Sequence, residues 1–281
     1  MSREMTVSTT PFDRLDAPSS EALQHLFEKP SRPTVITGLV DRWRAYTAWT
    51  DAYLEQAAAG SHVDVTVASR TGVTVRTPRE KIELGDFMRR LARAEPSVRH
   101  YVGGLPLEQV PALLGDVDFD PIVAGRRHQG PNLWAGIAGA SSRLHFDATH
   151  GCMAMLRGAK RFVLFAPETR ASQIYPHPLF TRSPNWSRVV DVDEPDQQRF
   201  PGFAGAPRCE LVLRAGEMLF IPALWWHTVK GLGVNIGVNV WFRAPLRRFF
   251  SSVSGWRSLV HEAFKSQPYL NRLRIKPNEP A

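Results

Sequence analysis

The chain reads as a mainly β protein, a small barrel with flanking α-helices, and three stretches carry that expectation. Val234, Ile236, Val238 and Val240 alternate with Asn235, Gly237, Asn239 and Trp241, a period of two that builds one apolar and one polar strand face. Lys160-Arg-Phe-Val-Leu-Phe165 is an apolar strand with Lys160, Phe162 and Leu164 on one side. His145 and Asp147 stand two apart, so on a strand both point to one face while Leu144 and Phe146 pack on the other. His227, in Trp225-Trp226-His227, must then arrive on another strand folded back beside the first. A barrel whose interior holds a metal suits that arrangement.

From the N-terminus, Ser19-Ser-Glu-Ala-Leu opens a helix with a hydroxyl cap, and residues 84–92 form a second helix. Residues 34–37, 63–67 and 73–76 are strand-like. Residues 1–95 are thus a mixed α/β flank packed on a barrel core of residues 96–244. In that core Gly158-Ala is a turn ahead of the Lys160 strand, and Ala215-Gly-Glu217 is another turn. Met218-Leu-Phe-Ile221 is a short strand ended by Pro222, and Gly231-Leu-Gly233 turns the chain into the last strand. Residues 167–208, rich in Pro, Arg, Asp and Gln, form a long insert of the kind that often serves as a lid. With the N-terminal strands it is expected to frame an open groove. Residues 245–281 are a basic helical segment whose tail, 276–281, should fray.

Composition narrows the class. A chain of 281 residues can bury one substantial core. Its start has no apolar signal-peptide region, and no run of 18 apolar residues occurs, so no membrane span is expected. Two cysteines, Cys152 and Cys209, suit a reducing, cytoplasmic setting, and Cys152 reads as a small buried hydrophobe. From Arg243 onward there are eight Lys/Arg and two Glu, so this stretch carries +6 of the net +8. It reads as a cationic face on packing helices, with RNA or an acidic partner as the functional alternative.

Two imidazoles and one carboxylate are the donor set of a non-haem Fe(II) oxygenase, which leaves metal positions open for a cosubstrate and dioxygen. His-x-Asp alone is weak: His62-Val-Asp64 repeats it inside an ordinary alternating strand. His150 is expected in the loop after the first ligands, and Trp225 and Trp226 as barrel packing. Lys160, near the start of an apolar inward face, needs an anionic partner, which a dicarboxylate would supply.

With Ser142-x-x-His145-x-Asp147 stand Gly158-x-Lys-Arg-x-x-Leu-Phe-x-Pro167, Arg199-Phe-Pro201, Gly216-Glu-x-Leu-x-Ile-Pro222 and Trp-Trp-His227. Arg32-Pro-x-Val-Ile-Thr-Gly38 and Trp43-x-Ala-x-x-x-Trp49 extend the pattern upstream. The set resembles the cupin-type Jumonji C (JmjC) hydroxylases, and most of all the asparaginyl hydroxylase of hypoxia-inducible factor and its bacterial relatives. The resemblance implies a double-stranded β-helix of the jelly-roll type, Fe(II), and 2-oxoglutarate as cosubstrate. It implies His145, Asp147 and His227 as iron ligands and Lys160 as partner of the cosubstrate's distal carboxylate. It implies further cosubstrate contacts from Ser142, Tyr101, Asn239 and Trp241, and a homodimer through the C-terminal helices. Gly151 stands where the asparaginyl hydroxylase has an Asn, so the likeness does not extend to an asparaginyl substrate. The function expected is hydroxylation of a protein or peptide side chain, with release of succinate and CO2. The alternatives are the same chemistry on RNA or a small natural product, N-demethylation, or a non-catalytic cupin-like binding protein.

Overall fold

The computed structural model describes residues 12–30, 32–67, 79–93, 100–181 and 183–265. Its strands are β1 (Asp13–Asp16), β2 (Thr34–Thr37), β3 (His62–Val67), β4 (Arg79–Glu83), β5 (His100–Pro106) and β6 (His128–Gly136). After these come β7 (His145–Phe146), β8 (Thr149–Phe165), β9 (Cys209–Arg214), β10 (Met218–Ile221) and β11 (Trp226–Arg243). The strand expected at 73–76 and the tail at 276–281 lie outside the described residues.

β8 and β11 are the frame. They run antiparallel along their whole length, from Trp226 opposite Phe165 to Arg243 opposite Thr149. Their outer halves take different neighbours. β8 pairs with β10 through Gly151–Ala154 and with β9 through Ala159–Leu164. β11 pairs with β7 at its start and with β6 further on. The sheet continues to β2 and β1 beyond β10, and to β5, β3 and β4 beyond β6, making eleven strands in a jelly-roll-like arrangement. The N-terminal strands β1 and β2 are hydrogen-bonded into the barrel sheet.

Two expected turns are bends inside continuous strands. Neither Gly158 nor Gly231-Leu-Gly233 breaks its strand; the ladder slips between Leu232 and Gly237 and resumes. Gly158 has φ +68°, and a Cβ there would come within 2.0 Å of the Val234 carbonyl oxygen, so only glycine lets β8 fold this tightly against β11. The slip changes which side chains face inward. Across it, cavity-facing residues pass from odd-numbered Thr149, Gly151 and Met153 to even-numbered Lys160 and Phe162, because a one-residue shift reverses strand faces.

The flanks seal the other face. Helix Ser20–Glu28 starts as expected, with the Ser19 hydroxyl accepting from Ala22 N at 3.2 Å, and buries Leu23 and Phe27. Helix Leu84–Ala92 buries Phe87, Met88 and Leu91. These side chains join Val238, Val240, Phe242 and Phe220 in the largest core. His62 and Asp64 lie exposed on β3 opposite Glu83 and Lys81, the ordinary strand expected. The insert is packed, not loose: Ile174, Val189, Phe200 and Phe203 bury against Phe146, Val163, Phe165 and Trp226. Helix Val253–Lys265 docks on the barrel, where Ser254 Oγ accepts from Trp226 Nε1 at 3.0 Å.

Candidate active site

His145 on β7 and His227 on β11 are directly opposite each other in register, which brings two residues 82 positions apart within one rung. Asp147, just past β7, shares their face. One donor atom from each of the three lies within 4.8 Å of the others. Backbone carbonyls set the ring orientations: His145 Nδ1 is 2.7 Å from Arg143 O, and His227 Nδ1 is 3.0 Å from Trp225 O. A carbonyl only accepts, so each Nδ1 carries the proton and each Nε2 turns its lone pair toward Asp147. The Nε2 atoms stand 3.9 and 3.8 Å from the two Asp147 oxygens. Burial foremost pushes the His227 imidazolium down, which keeps the ring neutral and ready to ligate. Trp241 Nε1 donates to Asp147 Oδ2 at 3.1 Å and fixes the carboxylate.

Two turns hold the ligand segments together. Asp147 O accepts from Leu224 N at 2.8 Å, and His150 Nδ1 accepts from Ala223 N at 3.0 Å. His150 is thus not in a loop: it lies within β8, wholly buried between the Phe220 and Phe242 rings on the side away from the metal ligands. Burial foremost, then Arg248 and Arg126, pushes it down to about 3, so it is a neutral acceptor. The tryptophan pair divides. Trp226 is core packing against Phe146, whereas Trp225 lines the cavity with its buried Nε1 unpartnered among the described residues.

The cavity, about 650 Å³ with its mouth, holds all eight residues expected in the site. Lys160 is 2% exposed, and its Nζ lies 3.4 Å from the Tyr101 hydroxyl. It also sits over the rings of Tyr101 and Trp134, 5.5 and 5.8 Å from their centres. Burial pushes the ammonium down to about 7 and the Tyr101 phenol well above its ordinary range. Among the described residues no carboxylate pairs with Lys160. Ser142 Oγ accepts from Val229 N at 3.0 Å, leaving its own hydrogen free to turn into the cavity. Asn239 Oδ1 takes the Trp134 indole N–H at 2.6 Å. Trp134 was not legible as a site residue. It faces Gly103 of β5 and Gly237 of β11 across the sheet, a gap in side-chain volume that its indole fills. Met153, Phe162, Ile221 and Val229 make the remaining wall apolar. Cys152 is buried, its thiol pushed up by desolvation, as expected of a small hydrophobe.

The donor set fits a divalent metal that keeps open positions, and a buried cation without a carboxylate fits an anionic cosubstrate on the same wall. Fold and site together define a cupin barrel of the JmjC type with a two-His, one-carboxylate centre. The chain belongs to the Cupin-like domain family, which it matches over residues 20–248. It is 29% identical over 240 residues to Lysine-specific demethylase 8 of Xenopus tropicalis, covering 84% of this chain and 53% of that protein. It is 30% identical over 244 residues to the Lysine-specific demethylase 8 of Danio rerio, covering 82% and 57%. It is 27% identical over 254 residues to the human tRNA wybutosine-synthesizing protein 5, covering 83% and 78%. The chain spans about half the length of the demethylase relatives. The JmjC family is one of oxygenases that use Fe(II) and 2-oxoglutarate. No helix among the described residues is long and apolar enough to cross a membrane.

Proposed function

We propose that this chain is an Fe(II)- and 2-oxoglutarate-dependent oxygenase that hydroxylates a C–H bond of a protein or peptide side chain. The observation that carries the reading is Lys160, a buried cation with no carboxylate partner among the described residues, on the wall of the cavity that gathers His145, Asp147 and His227. Iron and cosubstrate, when bound, would supply the oxidising chemistry with dioxygen as the oxidant, releasing succinate and CO2. In this reading His145, Asp147 and His227 hold the metal, and the Trp241 N–H keeps the Asp147 carboxylate aimed at it. Lys160 takes the distal carboxylate of 2-oxoglutarate, helped by the hydroxyls of Tyr101 and Ser142. Asn239 braces Trp134 at that end, and the apolar wall of Met153, Phe162 and Val229 keeps water out.

The same chemistry on RNA is the second reading, favoured by the net charge of +8 and by the tRNA-modifying relative. N-demethylation, suggested by the names of the demethylase relatives, would begin with the same C–H oxidation. Exposed Leu246, Phe250, Val253 and Trp256 support a homodimer through the C-terminal segment.

Protein prepared without oxygen, loaded with Fe(II) and 2-oxoglutarate and then exposed to dioxygen, should add one oxygen atom to members of a peptide library, with stoichiometric succinate. Turnover confined to RNA or to a free metabolite would move the substrate class. Iron binding with no succinate from any substrate would leave a binding protein.

A further inference from the structure

Resting on the peptide reading above, we infer that Arg127 and Arg243 form an anion-reading pair at the mouth of the cavity. They select peptides that carry an acidic residue beside the target side chain. β11 presents Asn239 and Trp241 to the cavity, and strand alternation puts Arg243, its last residue, next in that row. On one side Arg243 is paired with Thr149 of β8, which lines the cavity. On the other side its N–H donates to Arg127 O at 3.0 Å, in line with the rung where Gln129 faces Trp241. Two arginines are therefore cross-strand neighbours one step beyond Trp241 and beside Thr149, both of which line the cavity, and both arginines are exposed.

Neither side chain has an ion pair or hydrogen bond among the described residues, and like charges facing across a ladder destabilise it. Glu28, which lines the same outer groove as Arg243, has its carboxylate on Gln24 at 2.9 Å. The adjoining arginines add to the positive field. Arg126 donates to the carbonyls of Ile122 and Ala124, and Arg248 to those of Ala223 and Pro30. Carbonyl partners leave both charges in place, with Glu168 acting on that of Arg248. The separation fits an extended peptide. Trp241 and Arg243 are two strand residues apart, about 7 Å, which is also the spacing of side chains i and i+2 in an extended substrate. A carboxylate one or two residues from the target would meet the two guanidinium groups, which bind planar carboxylates bidentately.

The test compares peptide libraries with Asp/Glu, Ser/Gln or Lys flanking a randomised central residue, turned over by the iron-loaded protein. The parent should favour acidic flanks about tenfold or more in kcat/KM, mainly through KM, and the preference should shrink as salt is raised. Arg127→Glu/Arg243→Glu should reverse the preference toward Lys flanks, a rescue that a merely misfolded variant would not give. Equal turnover of all three libraries by the parent, or unchanged preference in the double variant, overturns the pair while leaving the peptide reading intact. Turnover of an RNA pool with none of any peptide overturns both.

Discussion

Lys160 Nζ lies 3.4 Å from the Tyr101 hydroxyl and over the Tyr101 ring, and burial alone holds its ammonium down to about 7. A cation kept dry beside a phenol and two aromatic rings is stabilised by their π faces but not neutralised. The cavity is thus built with a positive end and a metal-ligand end.

Lys160→Ala should weaken 2-oxoglutarate binding by about 2–5 kcal/mol, much of it the cost of leaving a carboxylate unpaired, while sparing the metal. Calorimetry on protein loaded with Mn(II) reads both. The other basic candidates are engaged elsewhere: Lys230 lies 3.6 Å from Asp193, and Arg157 is paired with Asp51. An unchanged 2-oxoglutarate affinity in Lys160→Ala would assign the distal carboxylate to another group.

The same lysine sets a pH dependence. Its folded value, about 7, lies below the ordinary 10.5, so between these limits the unfolded chain holds a proton that the folded one has lost. The unfolded state binds more protons there, and this group's contribution to stability rises with pH across that window. A bound dicarboxylate favours the charged form, so above pH 7 binding must take up a proton. Affinity in metal-loaded protein should then fall by up to about tenfold per pH unit. Calorimetry in buffers of different ionisation heat would detect the proton. No uptake at pH 8 to 9 would mean that Lys160 is already charged in the free protein.

Metal binding should be lost in Asp147→Ala and His227→Ala, because either change removes one of three donors. His62→Ala, in the other His-x-Asp, should bind as the parent does, since His62 is exposed on β3. Metal stoichiometry after gel filtration settles the comparison. One full equivalent in both site variants would refute the donor set.

Trp241→Phe keeps an aromatic ring but deletes the N–H that Asp147 Oδ2 accepts. Metal affinity should fall about 10- to 100-fold, the usual scale for a group that orients a ligand. Metal competition titrations would show this, and equal affinities would reduce Trp241 to a wall of the cavity.

Local periodicity decided much of this protein. Two-residue spacing was enough to put His145 and Asp147 on one face, to separate Asn239 and Trp241 from the valines, and to mark Lys160 as a cation needing an anion. The Ser19 cap and the alternation around Val63 and Val65 likewise worked through neighbours in sequence. Pairing across long separations did not announce itself. Trp134 reaches the site through Asn239, 105 residues away, and has no motif around it. His150 and Trp225 took positions that only the Pro222–Trp225 turn explains, one accepting from Ala223 and the other facing the cavity. The largest tertiary contribution is the one-residue slip at Leu156, between the Ile236–Arg157 and Gly237–Met155 pairs. It makes odd residues of β8 before it and even residues after it face the same cavity. A strand's sequence determines which residues alternate. Which face is inward depends on register against a partner strand, and that was decided where the β8–β11 ladder slips by one residue between Ile236–Arg157 and Gly237–Met155 in the folded barrel.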